Sequence, residues 1–159
     1  MEIASRHHLR SDAVDDLETI LEEQLGVTLA ADSYELVELA DEPIDIVLVD
    51  GEPAVFYVDD EPFLTVKGAN MYPPQQRVVT VDAGAVQFVS DGADVMRPGI
   101  VEADPNIEPD DLVVIAEETH GKVLAIGRSR VSGEEMTGEQ GKVIDSIHHV
   151  GDELFEFDI

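Results

Sequence analysis

Arg97 stands in the stretch GADVMRPGIV (92–101), between Met96 and Pro98 and close to Gly92 and Gly99. Pro98 fixes its own φ and restricts the preceding residue to extended geometry, so Arg97 is presented on a stiff segment. A guanidinium held in this way loses little freedom on binding and suits a two-pronged contact with phosphate. Gly84, Gly92 and Gly99 let backbone lie close to a ligand or turn sharply. Taken alone, these glycines and Pro98 serve equally well as plain corners of a barrel. Further along, GRSRV (127–131) places Arg128 and Arg130 two residues apart. On a strand they share one face at roughly 7 Å, near the spacing of successive phosphates on a single strand. Gly127 marks the point for a bulge or twist that turns this face outward. Pairing with Glu134 or Glu135 is the competing role for the two arginines. Lys142 and His148 fall on the next expected strand and would complete a cluster that grips a polyanion.

Other chemistries find little footing. The chain has no cysteine, which excludes disulfides, thiol nucleophiles and thiolate metal sites and fits an intracellular protein. It has no Walker loop, no G-x-S-x-G elbow and no H-E-x-x-H pair. His7-His8 and His148-His149 are neighbours that point to opposite faces of a strand, with no third ligand at a recognisable spacing. Asp110-Asp111 and Asp59-Asp60-Glu61 do not match an EF-hand loop. No catalytic residue, metal or cofactor is expected, and the chain reads as a binding protein rather than an enzyme.

The surroundings of these bases are strongly acidic. Asp and Glu number 36 against 9 Lys and Arg, for a net charge of −27. In dilute buffer such a surface repels nucleic acid and strains the compact state. Hydrophobic residues still make up 43% and fall in regular patterns, which argues against disorder. The acid is spread over the whole chain, as suits the cytoplasm of a halophile. At molar salt the Debye length shrinks to about 3 Å, and the charge matters less than where the bases are kept. Only Arg6 and Arg10 lie before residue 67; the other Lys and Arg residues lie within 67–159. The first part reads as a solvated scaffold and the second as the binding part. No apolar run is long enough to span a bilayer, and the N-terminus lacks the apolar segment of a secretory signal.

The elements that position the bases follow from periodicity and punctuation. The segment 11–26 reads as a helix with Ser11 as N-cap, acids in its first turns and Gly26 as its stop. Val14, Leu17, Ile20, Leu21 and Leu25 mark its apolar face. Segments 33–40, 44–50, 54–60 and 63–66 read as a meander of strands joined by DGEP and DDEP turns. The polar KGANMYPPQQ (67–76) is expected to separate two domains, 1–74 and 77–159. The second opens with a strand (77–82) and a short helix (83–92) capped by Asp82 and closed by Gly92. Strands are expected at 111–117, 122–131, 141–150 and 153–159, with a turn over 132–140. Many short strands with glycine at the corners predict a small, partly closed barrel.

VDAGAVQFVSDGADVMRPGI (81–100) resembles the opening of the PUA domain, named for pseudouridine synthases and archaeosine transglycosylases. The likeness continues through DDLVVI (110–115), LAIGRSRVS (124–132) and GKVIDSIHHVGDELFEF (141–157). This last stretch is similar to archaeal PUA proteins related to the malignant T-cell-amplified sequence translation factors. Asp110-Asp111, His149 and Phe155 depart from the usual pattern; His149 replaces an aromatic ring that could stack. The resemblance implies an α+β chain: a small N-terminal α+β domain followed by a C-terminal PUA-type β pseudo-barrel that binds structured RNA. It places the RNA on the first helix of the barrel, where Gly84 and Gln87 lie, on the loop with Arg97, Pro98 and Gly99, and on a late strand. The function implied is non-catalytic binding of tRNA or small-subunit ribosomal RNA in translation initiation or recycling, with the small ribosomal subunit or a translation factor as partner. Two alternatives stand beside it. One is a substrate-holding subunit for a separate RNA-modifying enzyme. The other is a protein-interaction module that offers a strand edge within residues 44–66.

Overall fold

A computed structural model describes residues 1–158. The chain forms β1 (Ile3–His8), α1 (Ser11–Leu25), β2 (Tyr34–Leu39), β3 (Asp45–Val49), β4 (Glu52–Val58), β5 (Glu61–Leu64) and α2 (Val66–Met71). There follow β6 (Val78–Val81), α3 (Ala83–Ser90), β7 (Val95–Met96), β8 (Ile100–Ala103), β9 (Leu112–Glu117), β10 (Val123–Ser129), β11 (Lys142–His149) and α4 (Glu153–Glu156). Among the described residues no helix is long and apolar enough to cross a membrane.

The first sheet is an antiparallel meander in the order β1-β2-β3-β4-β5. Its tight turns put Asp50 and Gly51, and then Asp59 and Asp60, at positive φ. Two consecutive left-handed residues match the twist of a two-residue hairpin, a position that Asp and Gly fill at low cost. α1 buries Leu17, Leu21 and Leu25, each worth about 1.5–3 kcal/mol. Gly26 closes the helix in the left-handed conformation, as expected. Its N-cap is Arg10 rather than Ser11, with no side-chain cap bond. The strand β1 went unforeseen, because its residues are exposed on both faces and carry no alternation.

The second sheet has six strands in the order β7-β11-β10-β9-β6-β8, antiparallel except for the β6–β9 pair. Its two edges, β7 and β8, are joined by the short 3-10 turn Arg97–Gly99, so the sheet curls on itself as a pseudo-barrel. The barrel's own core gathers Val79, Val81, Val89, Ile115, Met136 and Ile144. A short helix replaces the strand expected at 153–159. The Asp152 carboxylate accepts from the Phe155 N–H (2.8 Å) and the His149 N–H (2.9 Å), which favours a capped turn over an extended run.

The segment after β5 is not a free linker. Thr65 caps α2, and Val66, Gly68 and Ala69 are buried. A Cβ at Gly68 would overlap the Ala54 carbonyl, so this glycine lets α2 lie directly on β4. Asn70 then pairs with the backbone of Val123 in both directions (2.8 and 3.1 Å). A single apolar core runs from α1 and the first sheet through to Leu112, Val114, Ile126 and Phe157 of the barrel.

Candidate nucleic-acid interface

The side of the barrel that carries α3 and the Arg97–Gly99 turn is built from short-range decisions. Asp82 accepts from the Ala85 N–H (3.0 Å) and starts α3 where the cap is expected. Val89 is turned inward, and Gly92 ends the segment at φ +93 with the His149 ring packed against its Cα. His149 Nδ1 lies 3.0 Å from the Ser90 carbonyl and 2.9 Å from that of Val150, which places the proton on Nδ1 and ties β11 to the end of α3. Between α3 and the turn lies a hollow of about 280 Å³ lined by Gly84, Phe88, Met96, Pro98, Gly99 and the carboxylates of Asp82 and Asp94 among others.

Its floor is apolar and open. Phe88 is 67% exposed and Met96 49%, large apolar surfaces to leave in water on an otherwise acidic protein. Gly84 faces open space, where a Cβ would touch only Asp82 Oδ1 at 3.4 Å. Packing therefore does not demand glycine there, and its smallness keeps the rim low. Both carboxylates are occupied: Asp82 caps α3, and Asp94 accepts from the Ser146 N–H (2.8 Å) and pairs with Lys142 (2.9 Å). The Ser146 N–H, followed by Lys142, holds the Asp94 carboxyl below the usual aspartate range.

The structure separates the expected cluster. Gly84, Pro98 and Gly99 line the hollow, and Lys142 joins it through Asp94. Gln87 lies on the exposed side of α3 and donates to Asp91 (3.0 Å). Arg97 lies in sequence between the lining residues Met96 and Pro98, but its side chain turns into the 135–141 loop. There Nε donates to the Glu135 carbonyl (2.8 Å) and a terminal nitrogen to that of Gln140 (3.0 Å). Arg130 grips Asp145 with both prongs (2.7–3.1 Å), and its charge also acts on Asp94. Neither Glu134 nor Glu135 supplies the carboxylate partner of either arginine.

Arg128 and His148 belong elsewhere. Arg128 donates to the Asp110 carbonyl (2.7 Å) and reaches Asp59 in the β4–β5 turn of the first sheet (3.1 Å). His148 is only 2% exposed, so the expectation of a surface contact there is corrected. Its Nε2 accepts from the Val66 N–H (3.1 Å) and its Nδ1 faces Asp152 (2.8 Å). Burial pushes the Asp152 carboxyl up, but the His148 bond and charge and two backbone N–H groups leave it below its ordinary value. The physical reason is a β-bulge: Ile126 pairs with His148 but Gly127 with Ser146, leaving Ile147 as an extra residue. The bulge falls at Gly127, and it reverses the alternation that would have kept Lys142 and His148 on one face.

Sequence alone did not single out Phe88 and Met96 as exposed apolar side chains. The signal was present, since turning Val86 and Val89 inward on α3 leaves Phe88 on the outside. Together they set a ring and a thioether over bare backbone, with Lys142 paired to Asp94 at the rim. Exposed rings of this kind are what single-strand-binding proteins in general stack bases on. Among the described residues, no three His, Cys, Asp or Glu side chains gather to hold a metal ion.

Residues 77–151 match the family model described as the PUA domain. The protein MJ1432 of Methanocaldococcus jannaschii is 36% identical over 161 residues, covering 99% of both chains. Translation machinery-associated protein 20 of Saccharomyces cerevisiae is 36% identical over 132 residues, 79% of this chain and 72% of that one. The crystal structure of hypothetical protein PH0734.1 from Pyrococcus horikoshii superposes with a TM-score of 0.83 at 31% identity, over 96% of this chain and 98% of the other. The pseudo-barrel with its capped helix and glycine-proline turn is therefore a PUA domain, the RNA-binding module that the sequence pattern implies. The chain belongs to the PUA-domain family that includes translation machinery-associated protein 20, the malignant T-cell-amplified sequence proteins and their archaeal relatives.

Proposed function

We propose that this protein is a non-catalytic RNA-binding factor of the cytoplasm that recognises tRNA or small-subunit ribosomal RNA in translation initiation or recycling. The observation that carries the reading is the open apolar hollow between α3 and the Arg97–Gly99 turn, with Phe88 and Met96 exposed over Gly84 and Gly99. An unpaired base stacks there, and Lys142 exchanges Asp94 for a phosphate. The kinship to translation machinery-associated protein 20 supports the setting.

Two substitutions separate binding from folding. Phe88→Ala removes a side chain that is largely in water, so stability changes by less than about 0.5 kcal/mol. Its loss removes a stacking platform worth about 1–3 kcal/mol per base. Gly84→Leu raises the rim of the hollow and leaves α3 at least as stable, because glycine is about 1 kcal/mol poorer than alanine in a helix. Titration of total tRNA and of small-subunit ribosomal RNA in molar KCl checks both. Affinity for one of these RNAs falls about tenfold or more in each variant while the melting temperature stays put. Unchanged affinity in both variants removes the site assignment, and absence of binding to either RNA removes the function.

A further inference from the structure

We infer that Asp82 selects the base that enters the hollow: its carboxylate favours a base with an exocyclic amino group, that is cytosine, adenine or guanine, and disfavours uracil. This rests on the reading of the hollow as a seat for an unpaired base, and it names which bases that seat takes.

The hollow sets an acidic rim around an apolar floor. Phe88, Met96 and Pro98 offer a base a surface to stack on but no hydrogen bond. Among the lining residues, Asp82 and Asp94 alone have polar side chains. The two differ in what they already hold. Asp82 Oδ1 accepts from the Ala85 N–H (3.0 Å) and caps α3, while Oδ2 makes no hydrogen bond or ion pair among the described residues. Asp94 Oδ1 accepts from the Ser146 N–H (2.8 Å), and its Oδ2 faces Lys142 (2.9 Å). When Lys142 turns to a phosphate, Asp94 Oδ2 loses its partner as well. Two acceptors without donors then stand beside an apolar floor. Leaving such acceptors unpaired once a ligand covers them costs free energy, so the ligand must supply the donors.

The four bases differ in this respect. Cytosine, adenine and guanine each carry an amino group that projects donors from the edge of the ring, and a carboxylate accepting from cytosine is a known pairing. Uracil has a single N–H on its pairing edge, with a carbonyl oxygen on either side. Bringing that N–H to Asp82 sets both oxygens against a negative charge. A site built to bond a donor rejects an analogue that lacks it far more strongly than an apolar pocket rejects a change of shape. Phosphate is turned away from Asp82 by the same charge. The nucleic-acid backbone is left with the Lys142 side, and the edge of the base points at Asp82.

The test uses the full chain in molar KCl with a short oligouridine and three copies of it in which one central uridine is replaced by cytidine, adenosine or inosine. Inosine carries a carbonyl where adenosine carries the amino group, so the two stack alike and differ in the group at issue. The cytidine form is expected to bind about tenfold more tightly than oligouridine, and the adenosine form about tenfold more tightly than the inosine form. Asp82→Asn keeps the helix cap, since Asn caps as well as Asp. Its Oδ1 takes the Ala85 N–H, which puts the amide nitrogen, a donor, where Oδ2 stood. In this variant both ratios are expected to fall below about threefold while the melting temperature is unchanged. Phe88→Ala is expected to weaken the cytidine and adenosine forms alike. Equal binding within each pair, ratios that survive Asp82→Asn, or failure of all the oligonucleotides to bind while tRNA or ribosomal RNA does would each overturn the selection by Asp82 and leave RNA binding standing. Failure of tRNA, ribosomal RNA and every oligonucleotide to bind removes the RNA-binding reading itself, and the selection with it.

Discussion

At the residue scale, each cation near the hollow has an internal partner before any ligand arrives. Arg97 is the clearest case, because its side chain serves two carbonyls of the 135–141 loop, which Met136 also anchors in the barrel core. The Cβ of any larger residue at Gly141 would come within 2.8 Å of its terminal nitrogen. Arg97→Ala should therefore loosen the 135–141 loop first. Two charge-assisted bonds at a half-exposed position are worth about 1–3 kcal/mol together. Urea denaturation in molar KCl reads this as a lower midpoint with an unchanged slope, and hydrogen exchange reads it as faster amides in the loop. An unchanged midpoint would mean that the arginine is free to serve a phosphate alone. The grouping of Gly84, Pro98 and Gly99 was legible in the sequence because each acts through backbone close to its own position, whereas Lys142 reaches the hollow only through the distant Asp94. The partners of Arg128 and Arg130 were not, since Asp59 lies 69 residues from Arg128 and Asp145 lies 15 from Arg130. Nor was His148, whose direction is set by a bulge that no local pattern announces.

At the element scale, capping and turn chemistry carried most of the fold into view. Asp82, Gly26, Gly92 and the two aspartate-rich hairpins all act within four residues, and the structure has them where local rules put them. α2 and α4 were not read as helices. Their residues read as a polar linker and as an alternating strand, but Thr65 and Asp152 cap them locally and packing on other elements then holds them as helices. α2 rests on β4 through Gly68 and on β10 through Asn70. That contact holds the two sheets together along with the bond from the Val66 N–H to His148. Gly68→Ala drives a methyl group into the Ala54 carbonyl, and the backbone on both sides must shift. Overpacking of this kind costs about 1–3 kcal/mol, although alanine favours the helix by about 1 kcal/mol. Thermal melts should show a clear net loss, and the neighbouring Ala69→Gly variant should lose about 1–2 kcal/mol through helix propensity and one buried methyl group. A neutral Gly68→Ala would show that α2 rides on the sheet loosely and that the two units are not fixed through it.

At the scale of the whole molecule, two features act on salt in the same direction. With 36 acids and 9 bases, ion pairs cannot neutralise the surface, and self-repulsion opposes the compact state in dilute buffer. The same repulsion keeps RNA away. Raising KCl from about 0.1 M to about 1 M shortens the Debye length from about 10 Å to about 3 Å and removes both penalties. Ordinary RNA-binding proteins lose affinity under this change, because salt competes with the counterions released from phosphates, by roughly 0.7–0.9 log unit per log of salt for each contact. Here few cations are free to make such contacts: Lys142, Arg128 and Arg130 already hold carboxylates, and Arg97 holds carbonyls. Stacking on Phe88 does not depend on ionic strength in that way. The melting temperature should therefore climb with KCl, and RNA affinity should rise or stay level over the same range instead of falling. Binding isotherms and melts taken on one set of samples decide the matter. A steep loss of affinity with salt would mean that RNA is held through several phosphates by cations that leave their internal partners, and that the apolar hollow is incidental to recognition.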